Sequence, residues 1–205
     1  MSPSFNTNTW NKIRYSVYQP FYDIVDLFFR PYRVQSISGL KLKPKDKVLI
    51  IGAGTGLDLY HLNNDYELHA IDITPGMISR LVRRAEHIGI TVEAKTMSAH
   101  ELEYSDAYFD AVILHLIVAV IPDPVKCLDE AARVLKPNGR FTIIDKFVPA
   151  GTQPGFIRRI LNIITETLFS SIDRDIDQLL DQTSLVKKND IKLKSIFRLV
   201  SGSKN

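Results

Sequence analysis

The chain reads as an α/β protein, doubly wound, with a mostly parallel sheet carrying helices on both faces. Three observations predict this class. Short apolar runs alternate with helical stretches between residues 45 and 148, the first run passes straight into a glycine-rich turn, and two strand-like runs stand side by side near the C-terminal end. Strands separated by helices imply right-handed crossovers and parallel pairing, whereas two strands with no helix between them pair antiparallel.

The elements follow in order. Lys47-Val-Leu-Ile-Ile51 is a continuous apolar run that suits a strand buried on both faces. Residues 57–62 form a short helix, and residues 66–73 a second strand. Thr74-Pro75 then provides a cap and a first-turn proline for a helix over 76–88, which Gly89 terminates. Residues 90–95 and 109–114 are the third and fourth strands. Asp123-Pro124 starts a helix running to Leu135, and Lys136-Pro-Asn-Gly139 turns the chain into a fifth strand over 140–146. Residues 156–182 read as helical. Runs over 185–193 and 194–201 make a closing antiparallel hairpin, giving seven strands whose spatial order the sequence leaves open.

Composition bounds the function. The chain has 205 residues, 45% hydrophobic and 24% charged, enough for one sizeable core and too few for two ordinary domains. With 26 basic and 23 acidic side chains the net charge is +3, which lacks the dense positive field of a nucleic-acid binder. Cys127 is the single cysteine, so no intrachain disulfide or cysteine-based metal cluster forms, and the five histidines show no metal-cage spacing. No signal segment and no apolar run of membrane-spanning length is present, which predicts a soluble, cytoplasmic protein.

The glycine turn carries the chemistry. Gly52, Gly54 and Gly56 lie in Ile51-Gly-Ala-Gly-Thr-Gly56, where positive φ and the absence of a β-carbon let a ligand approach the backbone. A dinucleotide fingerprint needs glycine where Leu57 stands, and the Gly-Lys-Ser/Thr ending of a phosphate loop is missing. Asp72 ends the second strand about twenty residues further on, placed to accept two ribose hydroxyl hydrogen bonds or to cap the helix behind Pro75.

At this point a family becomes recognisable. Val48-Leu-Ile-Ile-Gly-Ala-Gly-Thr-Gly56, Ala70-Ile-Asp-Ile-Thr-Pro-Gly-Met77 and Arg133-Val-Leu-Lys-Pro-Asn-Gly-Arg140 resemble the motifs of class I S-adenosylmethionine-dependent methyltransferases, whose fold is Rossmann-like. The resemblance implies S-adenosylmethionine as cofactor and S-adenosylhomocysteine as product. It implies that Gly52, Gly54 and Gly56 border the methionine part, Asp72 the ribose, Ile73 and Met77 the adenine, and Ser98 and Ala99 the adenine amino group. Leu114 and His115 would stand at the fourth strand's end. Two positions depart from the pattern: Ile50 and Ser98 occupy places where many members carry an acid.

A second resemblance concerns the acceptor. Tyr15-Ser-Val-Tyr-Gln-Pro-Phe-Tyr-Asp23 and Ala111-Val-Ile-Leu-His-Leu-Ile-Val-Ala-Val-Ile-Pro-Asp-Pro124 are similar to bacterial phospholipid N-methyltransferases, and quinone methyltransferases are similar too. Trp10, Ile13, Val17, Phe21, Ile24 and Phe28 recur at helical spacing, divided by Pro20 and flanked by Lys12, Arg14, Arg30 and Arg33. That segment either lies on an anionic membrane surface, as at an inner membrane, or covers the site as a lid. Residues 156–169 carry a second apolar face suited to the far wall of a substrate pocket.

Methyl transfer from a sulfonium is an in-line displacement that needs alignment in a dry pocket and, for a protonated acceptor, a base. His115 is the candidate base, with a structural role beside the cofactor as its alternative. Tyr15 and Tyr18 are candidates to orient substrate, or pack as aromatics. Asp145, near the fifth strand's end, is a candidate for a cationic acceptor. No metal is expected. The whole reads as one domain: 1–40 a helical lid or membrane-contact segment, 45–148 the cofactor core, and 149–205 a substrate-side helix and the last strands. Acceptors in view are the amine of phosphatidylethanolamine, a quinone, or another small molecule. An NAD-dependent oxidoreductase and a non-catalytic adaptor for a membrane or protein are the other classes.

Overall fold

The computed structural model describes residues 22–147, 174–193 and 197–205, with side chains from Phe29 onward. The N-terminal periodicity up to Phe28 and the expected 156–182 helix as far as residue 173 lie outside the residues so described; of the remainder only Ile176–Leu180 is helical. Helix α1 spans Tyr22–Gly39 and contains Pro31. Strand β1 (Lys47–Ile51) leads through the glycine turn into a 3-10 helix (Leu57–His61), then β2 (Glu67–Asp72) and α2 (Pro75–Ile88). Next come β3 (Glu93–Thr96), β4 (Phe109–His115), α3 (Pro124–Val134) and β5 (Leu135–Lys146), and finally α4 (Ile176–Leu180), β6 (Leu185–Lys192) and β7 (Phe197–Lys204).

One seven-stranded sheet has the order β3-β2-β1-β4-β5-β7-β6. Strands β1 to β5 pair in parallel, and β7 runs antiparallel to both β5 and β6. The order reverses between β1 and β4, so the helices that follow these two strands depart to opposite faces and leave a crevice at the strands' carboxyl ends.

Alternation along the buried strands separates two cores. Val48 and Ile50 of β1 join Ala111 and Ile113 of β4 beneath α1 and α2, which contribute Ile37, Leu81 and Ala85, with Leu40 just past the end of α1. Leu49 and Ile51 join Val112 and Leu114 on the other face beneath α3 and α4, with Leu128, Ala131, Ile176 and Leu180. This two-sided burial explains the unbroken apolar run of β1.

The caps behave as the side chains dictate. Pro75 and Pro124 each open a helix, and Asp123 accepts the Lys126 amide through its carboxylate at 3.0 Å. Gly89 closes α2 in the left-handed conformation at φ 70°. The expected turn at residues 136–139 is a bulge within β5 rather than a break before it: Phe109 faces Leu135 but Ala111 faces Arg140, with Asn138 at φ 60°. Arg140 beyond the bulge donates to the carbonyls of Leu40 and Lys41 at 2.7 and 2.6 Å, satisfying acceptors at the end of α1.

Gly56 shows how tightly the turn is held. Its φ is 81°, and a β-carbon there would lie 2.8 Å from Cγ of Leu81 on α2. Gly56→Ala is expected to destabilise the protein by about 2–4 kcal/mol, combining backbone strain with overpacking. Urea unfolding measures this, and a midpoint equal to wild type would show that the turn does not depend on glycine here.

Candidate active site

The site begins where β1 ends. Gly52 and Gly54 have φ values of 67° and 54°, and the amide of Ala53 donates to the Ile71 carbonyl at 2.9 Å, carrying the β1–β2 pairing past the strand. A β-carbon on Gly52 would meet the Ile117 side chain at 2.8 Å, whereas one on Gly54 would project into space with no atom within 4 Å. Gly52 therefore admits the segment after β4, and Gly54 leaves a bare backbone facing the crevice.

Asp72 secures the other side of the turn. Its carboxylate accepts the amide of Gly54 at 3.0 Å on one oxygen and that of Thr74 at 2.8 Å on the other. Burial raises its pKa, with the two amides pulling the opposite way. Each oxygen keeps a further lone pair for a ligand hydroxyl. Around it, Ile73, Met77, Met97 and Ala99 form an apolar slot, with Ser98 beside them. The slot suits a flat base, the carboxylate a diol, and the bare Gly54 a close polar chain, so these residues fit the parts of S-adenosylmethionine.

The same cavity continues to the ends of β4 and α1, where Leu116, Ile117, Val120 and Ile121 line one wall and Arg33, Asp58 and His115 lie at its base. His115 Nδ1 is 2.7 Å from Asp58 Oδ1, and Arg33 donates to the same oxygen at 2.6 Å. The second ring nitrogen, Nε2, is 2.8 Å from Ser36 Oγ, which is 2.6 Å from Thr142 Oγ1. In the tautomer with its proton on Nδ1, the ring donates to Asp58 and accepts from Ser36, which accepts from Thr142. All five residues are buried. Burial alone would raise the Asp58 pKa, but the charges and hydrogen bonds of Arg33 and His115 outweigh it and hold the carboxyl well below its ordinary range.

The segment after β4 is held from below. Leu116 takes φ 60°, uncommon for a branched side chain, while its amide donates to the Ile144 carbonyl at 2.7 Å. Asp145 accepts the amides of Ala119 and Lys146, each at 2.8 Å, and Arg174 donates to the carbonyls of Val118 and Ile121. Burial pushes the Asp145 carboxyl up to about 6 against these amides and the charges of Lys146 and Arg174.

The structure thus brings Gly52, Gly54, Asp72, Ile73, Met77, Ser98, Ala99 and His115 to one cavity. It does not bring Gly56, which packs on Leu81, or Leu114, which points into the core under α3 while its neighbour His115 faces α1. Asp145 lies buried beneath the wall and does not line the cavity. Tyr15 and Tyr18 lie outside the described residues. Sequence reasoning missed Ser36 and Asp58, and reached the wall from Leu116 to Pro122 only through the resemblance of residues 111–124. It also placed Arg33 with the membrane-facing cations, whereas Arg33 is buried against Asp58. The missed signal is Asp58 itself, a carboxylate two residues past the last glycine in an apolar helix that needs a cationic partner once buried.

Asp145 generates a pH dependence. The folded protein holds its proton more tightly than the unfolded chain, so stability falls as pH rises from about 4 to about 6, by at most about 3 kcal/mol. Unfolding of wild type and Asp145→Asn across this window is expected to show a steeper fall in wild type than in the variant, where the raised Asp72 carboxyl still contributes. Parallel curves would remove Asp145 as its source.

Comparison with known proteins places this geometry. Residues 49–143 match the family described as methyltransferase domain. A phosphatidylethanolamine N-methyltransferase of Cereibacter sphaeroides is 33% identical over 103 residues, 49% of this chain and 51% of that one. A ubiquinone/menaquinone biosynthesis C-methyltransferase of Bartonella bacilliformis is 32% identical over 105 residues, 48% of this chain and 40% of that one. The aligned region thus spans about half the length of such relatives or less. A geranyl diphosphate C-methyltransferase of Streptomyces coelicolor, solved with S-adenosyl-L-homocysteine, superposes with a TM-score of 0.73 at 14% identity over 86% of this chain and 80% of that one, which supports the fold. Residues 49–143, a little under half of the chain, are thus similar to the methyltransferase domain of these relatives, and the seven-stranded fold around them agrees with that likeness.

Proposed function

We propose that the protein transfers a methyl group from S-adenosylmethionine to a small or lipid-like acceptor, with the amine of a phosphatidylethanolamine-type lipid as the leading candidate. The observation that carries this reading is the continuity of one cavity from Gly54 and Asp72 to the buried group of Arg33, Asp58 and His115. When bound, the cofactor supplies an electrophilic methyl on a sulfonium sulfur. Gly52 and Gly54 would border its methionine part, Asp72 would accept from its ribose hydroxyls, and Ile73, Met77 and Ala99 would hold the adenine, with Ser98 offering one hydroxyl to its amino group.

The base of the cavity sets the electrostatics. Asp58 stays ionised at neutral pH, with Arg33 and the His115 ring both on Oδ1, and so holds a negative charge beside the cavity that favours a positively charged group. Both ring nitrogens of His115 are engaged by Asp58 and Ser36. His115 therefore positions Asp58 and the end of β4 and does not itself take a proton from the acceptor. The wall from Leu116 to Ile121 excludes water from the transfer path.

The lipid acceptor draws on the N-methyltransferase relative, on this apolar wall, and on the periodic apolar positions of the N-terminal sequence, which would rest on an anionic membrane surface. No helix among the described residues is long and apolar enough to cross a membrane.

Incubation with S-adenosylmethionine, total lipid extract and soluble metabolites, followed by mass analysis, is expected to show one added methyl on an aminophospholipid. A methyl on a quinone instead would overturn the amine acceptor, and no methylated product from any fraction would overturn the activity. His115→Ala is expected to lower kcat by about tenfold or more through lost alignment, with the pH profile keeping its shape. Loss of an ionisation from that profile would restore His115 as a base.

A further inference from the structure

On the outer side of the glycine turn, α2 presents a second cleft. Arg80, Arg83, Arg84 and His87 recur at intervals of three, one and three residues and so form one stripe of the helix, next to the buried stripe of Met77, Leu81 and Ala85. With Thr55 and Tyr60 they enclose a polar concavity on the protein surface. The whole chain carries a net charge of only +3, so this gathering of cations is local. Glu86 is the one acid of α2, and among the described residues no ion pair joins Arg80 or Arg83 to an acid.

The cleft is braced where it meets the cofactor site. The Arg84 guanidinium stands 5.5 Å from the centre of the Tyr60 ring and donates to Thr55 Oγ1 at 3.4 Å. Thr55, from the glycine turn, also lines the cofactor cavity. Tyr60 is 51% exposed, a large aromatic ring left at the rim. A cleft walled by one sign of charge concentrates anions. The guanidinium forks of Arg80 and Arg83 offer more donors than the two oxygens of a carboxylate can accept, whereas the terminal oxygens of a phosphate can engage both.

The geometry points to a second binding site, formed by Arg80, Arg83 and His87 with Arg84 and Tyr60 at its edge, that takes a phosphate-bearing anion. The site stands apart from the proposed methyl transfer, and a protein that methylates nothing in the product assay still has it.

The test measures binding of inorganic pyrophosphate by calorimetry, and sedimentation with vesicles of phosphatidylglycerol and phosphatidylcholine in equal parts against phosphatidylcholine alone. Wild type, Arg80→Gln/Arg83→Gln and, as a control of equal charge loss on β6, Lys188→Gln/Lys192→Gln are compared, with S-adenosylhomocysteine binding as the check on folding. Pyrophosphate binding weakened about tenfold or more in the arginine variant alone is the expected result. Binding of the anionic vesicles only, with the same dependence on the arginines, assigns the phosphate to a lipid headgroup and also supports the site. No binding of either probe by wild type, no loss in the arginine variant, or equal loss in both variants overturns it.

Discussion

A strand buried on both faces can place polar chemistry only at its ends, and β1 sets that condition for the whole molecule. Its side chains from Val48 to Ile51 alternate between two apolar cores. The chain therefore leaves the sheet abruptly after Ile51, and it does so through a backbone that is left-handed at each of the three glycines. The neighbouring parallel strands end at the same level, which brings Asp72 from one side and His115 from the other to the mouth of the turn.

The buried chain from Arg33 through Asp58, His115 and Ser36 to Thr142 joins four separate elements: α1, the 3-10 helix, β4 and β5. Desolvating such a group is costly, and replacing it with apolar residues of similar volume could be neutral for stability. Removing one partner leaves an uncompensated charge, at about 3–5 kcal/mol. The network's value lies in position. It fastens α1 across the sheet and keeps a carboxylate charged at the base of an apolar cavity. Asp145 shows the contrasting case: backbone amides serve it at close range, yet burial raises its carboxyl. The two acids lie at the ends of adjacent regions and are tuned in opposite directions by whether an arginine and a histidine reach them directly.

Residue type and local spacing revealed the elements whose partners are near in sequence. Pro75, Gly89 and the cap of Asp123 bound their helices because capping is a matter of a few neighbouring residues. Asp72 was legible because strand end and glycine turn recur at a set distance. Leu114 was misplaced by a single residue of parity: side chains alternate across a strand, so His115 faces α1 and Leu114 the opposite core. The turn at 136–139 was visible in composition, but its absorption into β5 as a bulge depended on pairing with β4.

By itself the sequence determined the class of fold and the glycine turn with the acid that fastens it, since these depend on backbone freedom and short-range periodicity. Tertiary structure decided the strand order, the burial of Arg33 beside Asp58, the closure of both His115 nitrogens and the wall from Leu116 to Ile121. Those features join residues 25 to 106 positions apart, and the energy of a buried charge depends on what surrounds it in space, which no local pattern records.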